Sequence, residues 1–277
     1  MKTAPGGVAL FDLRQRSALV TGGTGALGSA IVRGLGAAGV QVGILARGED
    51  RARELAAEVE EGGGSALPLP ADVLSRESLE QAGDRMAERF GGIDVLINAA
   101  GGNLPEAVVP DDADIFALDT QAFRQVVDLN LVGALLPIQV FGPVITRRGA
   151  GSIVNISSMS AARALSRTIG YGAAKAALEA LTRSMAVETA RRFDSGIRVN
   201  AIAPGFFIGE QNRELLLNPD GSLTDRSRRI LEQTPMGRFG EPEDLVGTVV
   251  WLASDASRFV TGAVIPVDGG FAAFAGV

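Results

Sequence analysis

The sequence predicts an α/β fold, a doubly wound sheet of about seven mostly parallel strands with helices on both faces. Three observations carry that prediction. Short apolar runs alternate with longer stretches of helical spacing along the 277 residues. The first six runs lack the polar alternation of a half-exposed strand, as expected of parallel strands covered on both faces. The first run also feeds a glycine-rich turn that opens into an apolar helix.

The predicted strands are Ser17–Thr21, Val40–Ala46, Ala66–Pro70, Val95–Asn98, Ser152–Ser157, Arg198–Ala203 and Ala263–Val267. The helix after the first strand begins near Ser29. Arg51–Glu61 and Ser75–Phe90 carry mixed charges at helical spacing with one apolar stripe, the pattern of covering helices. Gln121–Arg147 and Ile169–Arg192 are longer and richer in small and apolar residues. Such faces suit packing between subunits, as in a dimer, and equally burial within one chain. The stretch 205–235 is polar, and we read it as a helical insertion over a substrate site, a lid. The apolar tail Phe271–Val277 reaches either a neighbouring subunit or its own core. Nothing argues for a second domain, so 1–277 is read as one.

Composition narrows the function. The chain has 46% hydrophobic and 21% charged residues, enough for a large core, and its 36 glycines are dispersed rather than clustered. A net charge of −6 argues against a nucleic-acid-binding surface. There is no cysteine and no histidine, which removes disulfides, thiolate chemistry and most zinc sites, and no metal is expected. No run of about 18 apolar residues predicts a membrane span, and the residues through Arg16 do not read as a secretory signal. A cytoplasmic protein is expected.

The turn after the first strand is Thr21-Gly22-Gly23-Thr24-Gly25-Ala26-Leu27-Gly28. Glycines let the backbone turn sharply and approach a pyrophosphate, while the helix N-terminus offers free N–H groups and a favourable dipole. With a strand before it and a helix after it, the turn predicts a dinucleotide site of Rossmann type. In such sites a carboxylate at the end of the second strand bonds the ribose 2′-hydroxyl. Here that place holds Ala46-Arg47-Gly48. Arg47 suits a 2′-phosphate, so NADP is favoured over NAD, although a solvated Arg47 in an enzyme that accepts both is the alternative.

Tyr171 is the only tyrosine and stands in Tyr171-Gly172-Ala173-Ala174-Lys175, thirteen residues after Ser158. Without imidazole or thiol, proton transfer falls to a carboxylate, an amine or a phenol. Lys175 lies one helical turn from Tyr171, where an ammonium would lower the phenol's pKa toward working pH. Ser158 would add a hydroxyl donor to a carbonyl oxygen. The alternative is a buried aromatic beside a solvated helix charge.

These motifs, taken in order with Asp72-Val73, Asn98-Ala99-Ala100-Gly101, Asn130 in Asn130-Leu131-Val132-Gly133, and Pro204-Gly205, resemble the short-chain dehydrogenase/reductase family along nearly the whole chain. The resemblance implies that Tyr171 is the acid/base and that Lys175 lowers its pKa and bonds the nicotinamide ribose. It further implies that Ser158 orients the substrate oxygen and that Asn130 supports a water relay to Lys175. Asp72 and Val73 would flank the adenine, and Asn98, Ala99, Ala100 and Gly101 would pack beside the cofactor, as would Pro204 and Gly205. Ser157 competes with Ser158, but the spacing favours Ser158. Ala26 departs from the family's glycine, a change tolerated if its φ stays negative. The family's threonine after Pro-Gly is missing from Gly205-Phe206-Phe207-Ile208-Gly209.

Other stretches resemble one subgroup, the bacterial D-mannonate oxidoreductases or fructuronate reductases: Gly101-Gly102-Asn103 with Pro105, Gly205-Phe206-Phe207 with Gln211-Asn212-Arg213, and Asn218-Pro219-Asp220-Gly221. The resemblance implies a small-molecule substrate, an anionic sugar acid of D-fructuronate or D-mannonate type. Such a substrate needs a cation and amides, which Asn103, Arg163, Arg167, Gln211, Asn212 and Arg213 offer. Arg213 is the first choice for its carboxylate and Arg163 the second, each with a surface salt bridge as the alternative. A 3-oxoacyl thioester or a polyol remains an alternative substrate, and a cofactor-binding sensor without turnover a remoter one.

Overall fold

The computed structural model describes residues 7–110, 113–193, 196–209 and 213–276. Seven strands, β1 (Ser17–Thr21), β2 (Gln41–Ala46), β3 (Ser65–Pro70), β4 (Val95–Asn98), β5 (Gly151–Ile156), β6 (Ile197–Pro204) and β7 (Val264–Val267), form one sheet in the order β3-β2-β1-β4-β5-β6-β7. Every pairing is parallel, so the seventh strand joins the other six in direction. The order reverses beside β1, and in such a Rossmann-type sheet ligands bind beyond the strand C-termini at that point.

Side-chain alternation along the strands builds two cores. Ala18 and Val20 face one side of the sheet, where helices α1 (Ala26–Ala37) and α2 (Glu49–Glu61) supply Ile31, Leu35, Leu55 and Val59. Leu19, between them, faces the other side with Leu79 and Met86 of α3 (Arg76–Phe90). The helices downstream are α4 (Thr120–Val127), α5 (Gly133–Thr146), α6 (Ile169–Arg192), α7 (Arg213–Leu216), α8 (Asp225–Glu232) and α9 (Val246–Ala253). Val249 and Leu252 of α9 complete the first core, and Ile138, Phe141 and Ile145 of α5 complete the second.

Four expectations change. The first helix starts at Ala26 rather than near Ser29, because Gly25 is extended (φ −72°, ψ 168°) and the chain turns helical directly after it. The predicted helix over 121–147 is divided by a π-helical segment, Asp128–Val132. The continuous helical stretch Thr120–Thr146 is, by length and composition, apolar enough to cross a membrane, which the sequence reading did not anticipate. Its Ile138, Phe141 and Ile145 are buried against the sheet. Helix α9 was not predicted, since Val246-Gly247-Thr248-Val249-Val250-Trp251-Leu252-Ala253 is rich in β-branched residues and reads weakly as helix.

Candidate active site

The strand C-termini bring the loop 21–28, the segment 98–103, the π segment, and the start of α6 to one edge of the sheet. Gly22 has φ +63°, and a Cβ there would stand 2.7 Å from Ala100 Cα. A Cβ on Gly28 would meet the Gly22 carbonyl oxygen at 2.1 Å. Both positions therefore need glycine. The Gly23 N–H bonds the Leu45 carbonyl (3.1 Å), which ties the loop to β2, and Thr21 Oγ1 accepts from the Ala100 N–H (3.2 Å). Gly25 caps α1 without a side-chain bond, which leaves the first-turn N–H groups without a side-chain acceptor. Thr24, Leu27 and the remaining loop residues frame a cradle that fits a pyrophosphate. Among the described residues only Gln15 and Arg167 combine a side chain with positive φ, so Ala26 meets the condition set for it.

Around this cradle the expected cofactor residues differ in placement. Arg47 is exposed at the end of β2. Asp72 is exposed and its carboxylate accepts the Leu74 N–H (2.9 Å), while Val73 is buried and turned toward Gly133, so its side chain serves the core. Asn98 also turns inward: its Nδ2 donates to Asn155 Oδ1 (2.9 Å), and Asn155 in turn donates to Thr182 Oγ1 (2.9 Å) on α6. This chain fastens the sheet to the helix that carries Tyr171. Sequence reading missed it, although Asn98 and Asn155 end neighbouring strands in the same register. Ala99 and Ala100 back the loop at Gly22, and Gly205, after Pro204, donates its N–H to the Val267 carbonyl (2.9 Å).

Gly101 marks the centre of the site. A Cβ at this position would lie 2.7 Å from Asn130 Oδ1 and 3.1 Å from Lys175 Nζ. Asn130 is fully buried in the π segment, where its Oδ1 accepts the Gly102 N–H (3.0 Å) and its Nδ2 donates to the Gly102 (2.7 Å) and Val126 (2.8 Å) carbonyls. Lys175 Nζ donates to the Ile156 carbonyl at the end of β5 (2.8 Å) and stands 5.5 Å from the centre of the Tyr171 ring. The Ser158 side chain is near enough to the Tyr171 phenol to favour its ionised form, and its Oγ accepts the Ser160 N–H (3.2 Å), capping the short helix Met159–Ala161. Ser157 instead donates to Glu179 Oε1 (3.1 Å) on α6.

Burial governs the electrostatics of the pair. Burial pushes the Tyr171 phenol above its ordinary value of 10, and Ser158 only partly offsets this. Lys175 is desolvated in its turn. Buried itself, with 3% of its surface exposed, the lysine has its own pKa lowered to about 8 by desolvation, so its charge is costly where it stands. At neutral pH the phenol is protonated, the form a proton donor needs.

Of the residues expected to meet the substrate, Asn103 is partly buried beside Leu104, which shares a small apolar cluster with Tyr171. Arg213 is exposed at the start of α7, and Gln211 and Asn212 lie outside the described residues. Arg163 has a different task from the one expected: its guanidinium donates to the carbonyls of Ala272 (2.6 and 3.0 Å) and Phe274 (3.2 Å). That occupies the fork with backbone and holds the C-terminal tail on its own chain, where Phe271 also packs edge-on against Phe206 (5.2 Å). A cavity of about 440 Å³ lies nearby, between Phe206, Phe207, Met236 and 268–270. No group of three or more acidic residues able to hold a metal occurs among the described residues.

The family described as Enoyl-(Acyl carrier protein) reductase matches residues 23–272. The chain is 44% identical over 275 residues to the uncharacterized oxidoreductase UxuB of Bacillus subtilis, covering 96% of this chain and 98% of that one. A solved structure from Haemophilus influenza, described as a candidate D-mannonate oxidoreductase with bound NAD, superposes with a TM-score of 0.88 at 38% identity, covering 96% of this chain and 98% of the other. A gluconate 5-dehydrogenase from Burkholderia cenocepacia, in complex with NADP and tartrate, superposes with a TM-score of 0.83 at 33% identity, covering 95% and 98%.

Proposed function

Because this chain belongs to the short-chain dehydrogenase/reductase family and is an oxidoreductase of alcohols and ketones, we propose that it interconverts a keto sugar acid and its secondary alcohol, of D-fructuronate/D-mannonate type. The observation that carries the chemistry is the placement of Lys175, whose Nζ donates to the Ile156 carbonyl (2.8 Å) and stands 5.5 Å from the Tyr171 ring, with the Ser158 side chain acting on the same phenol. The sugar-acid reading draws on the subgroup stretches and on relatives named for mannonate and gluconate.

When bound, the nicotinamide supplies the hydride for reduction or takes it in oxidation. Gly22, Gly25 and Gly28 with the first turn of α1 hold the pyrophosphate, and Arg47, exposed beside the cradle, favours NADP over NAD by pairing with a 2′-phosphate. One relative carries NAD and another NADP, so this preference rests on Arg47. Ser158 orients the substrate oxygen and Tyr171 gives that oxygen its proton, which the partly buried, protonated phenol is poised to do. Asn130 clamps Gly102 and thereby holds the segment against Lys175, with the relay proposed to run through water beside it. The segment 205–235 closes over the substrate as a lid, with Arg213 and Asn103 on the substrate side.

A substrate panel followed at the reduced-nicotinamide absorbance with NADH and NADPH tests this reading. A keto sugar acid is expected to turn over best, Tyr171→Phe to lose at least about a hundredfold in kcat, and Arg47→Ala to raise the KM for NADPH more than for NADH. Preference for a neutral ketone or thioester would overturn the substrate; equal KM effects would overturn the role of Arg47.

A further inference from the structure

Four of the buried side-chain atoms that lack a hydrogen-bond partner among the described residues fall on two neighbouring segments beside Tyr171. They are Asn103 Oδ1, Ser160 Oγ, Arg167 Nε and Thr168 Oγ1. Such groups lose hydration without compensation, and none of these four satisfies another. The two segments are joined, since the Val109 N–H donates to the Arg167 carbonyl (3.0 Å). Arg167 is the exceptional member. It is four residues before Tyr171, its guanidinium makes no ion pair or hydrogen bond among the described residues, and its backbone has φ +74°. A long side chain in the left-handed region is strained, and strain of this kind persists where the surroundings hold the residue for a purpose.

The neighbours of Arg167 explain what confines it. Arg163 is fastened to the C-terminal tail, and Ser166 accepts a bond from Arg226 of α8 (3.2 Å). The loop 161–168 is thereby gripped by the tail, by α8 and by 104–109, with the catalytic helix directly following. An unpaired guanidinium has the donor set for a carboxylate, and an amide oxygen and two hydroxyls on the same two segments can accept from and donate to sugar hydroxyls.

We propose that Arg167 binds the substrate carboxylate, with Asn103, Ser160 and Thr168 reading the adjacent hydroxyls. This deepens the sugar-acid reading and rests on it. Arg213, which the sequence favoured, then lies at the rim.

The test compares Arg167→Asn, Arg167→Lys and Arg213→Asn in the full-length enzyme with a keto sugar acid and with a neutral keto sugar of the same length. Asparagine tolerates positive φ, so the first variant removes the cation without adding strain. We expect Arg167→Asn to raise the KM for the acid about tenfold to a hundredfold, with a several-fold smaller effect on the neutral sugar and on kcat, and Arg167→Lys to recover part of the loss. Equal effects on both substrates, or an acid-selective loss in Arg213→Asn alone, would overturn the assignment while leaving the sugar-acid reading intact. Failure of the unmodified enzyme to turn over any sugar acid would instead overturn that reading and the assignment with it.

Discussion

Lys175 shows how a single residue is set by its surroundings. Its position one turn after Tyr171 was legible, but its charge state was not, because desolvation depends on what the fold packs around it. With a folded pKa of about 8 against an ordinary 10.5, the lysine is charged in both folded and unfolded chains below pH 8, and the folded state bears the whole cost of burying that charge. Between about 8 and 10.5 only the unfolded chain stays protonated, so stability rises with pH through that window. Lys175→Met removes the effect. Denaturant unfolding from pH 7 to 10.5 should show the stability advantage of Lys175→Met over the parent shrinking by on the order of 3 kcal/mol. A constant difference would mean that Lys175 is not desolvated.

The loop between β1 and α1 is the element whose sequence and geometry agree most closely. Its glycines predicted a tight approach, and the structure supplies the neighbour: the backbone of Ala99 and Ala100, which follow β4. Gly22→Ala would combine a positive φ with a 2.7 Å contact to backbone that has no freedom to yield. It should raise the KM for the dinucleotide at least about tenfold through loss of charge-assisted phosphate contacts, with circular dichroism unchanged. Unaltered cofactor titration, followed by tyrosine or tryptophan fluorescence quenching, would dissociate this loop from the pyrophosphate. The helix after β4 is the counterexample. Its break at Asp128–Val132 places Asn130 inward against Gly102, and no propensity in Asp128-Leu129-Asn130-Leu131-Val132 announces a π segment, which arises from packing around a buried side chain.

Over the whole molecule, the long helices leave apolar surface uncovered: Val187 (55% exposed) and Ile169 (40%) on α6, with Val132 (37%) on the π segment. The sequence reading allowed either subunit contact or internal burial for these helices, and the outward residues favour contact, for which we propose a homodimer or homotetramer. Light scattering should give a multiple of the chain mass, and Val187→Asp should lower it. A parent enzyme that runs as a monomer would end the proposal. The tail behaves differently, since Arg163 and Phe206 hold it to its own chain.

By itself the sequence determined the strand boundaries to within about a residue and the glycine loop, and it singled out Ser158, Tyr171 and Lys175 as candidates, because these depend on local periodicity, on steric rules at glycine, and on residue spacing. Only the tertiary structure decided the protonation of Tyr171, the engagement of Arg163 by the tail, the inward turn of Asn98 and Val73, and the isolation of Arg167. Each of those depends on which distant segment stands within a few ångströms, and desolvation and hydrogen-bond partnership are properties of that neighbourhood rather than of residue order.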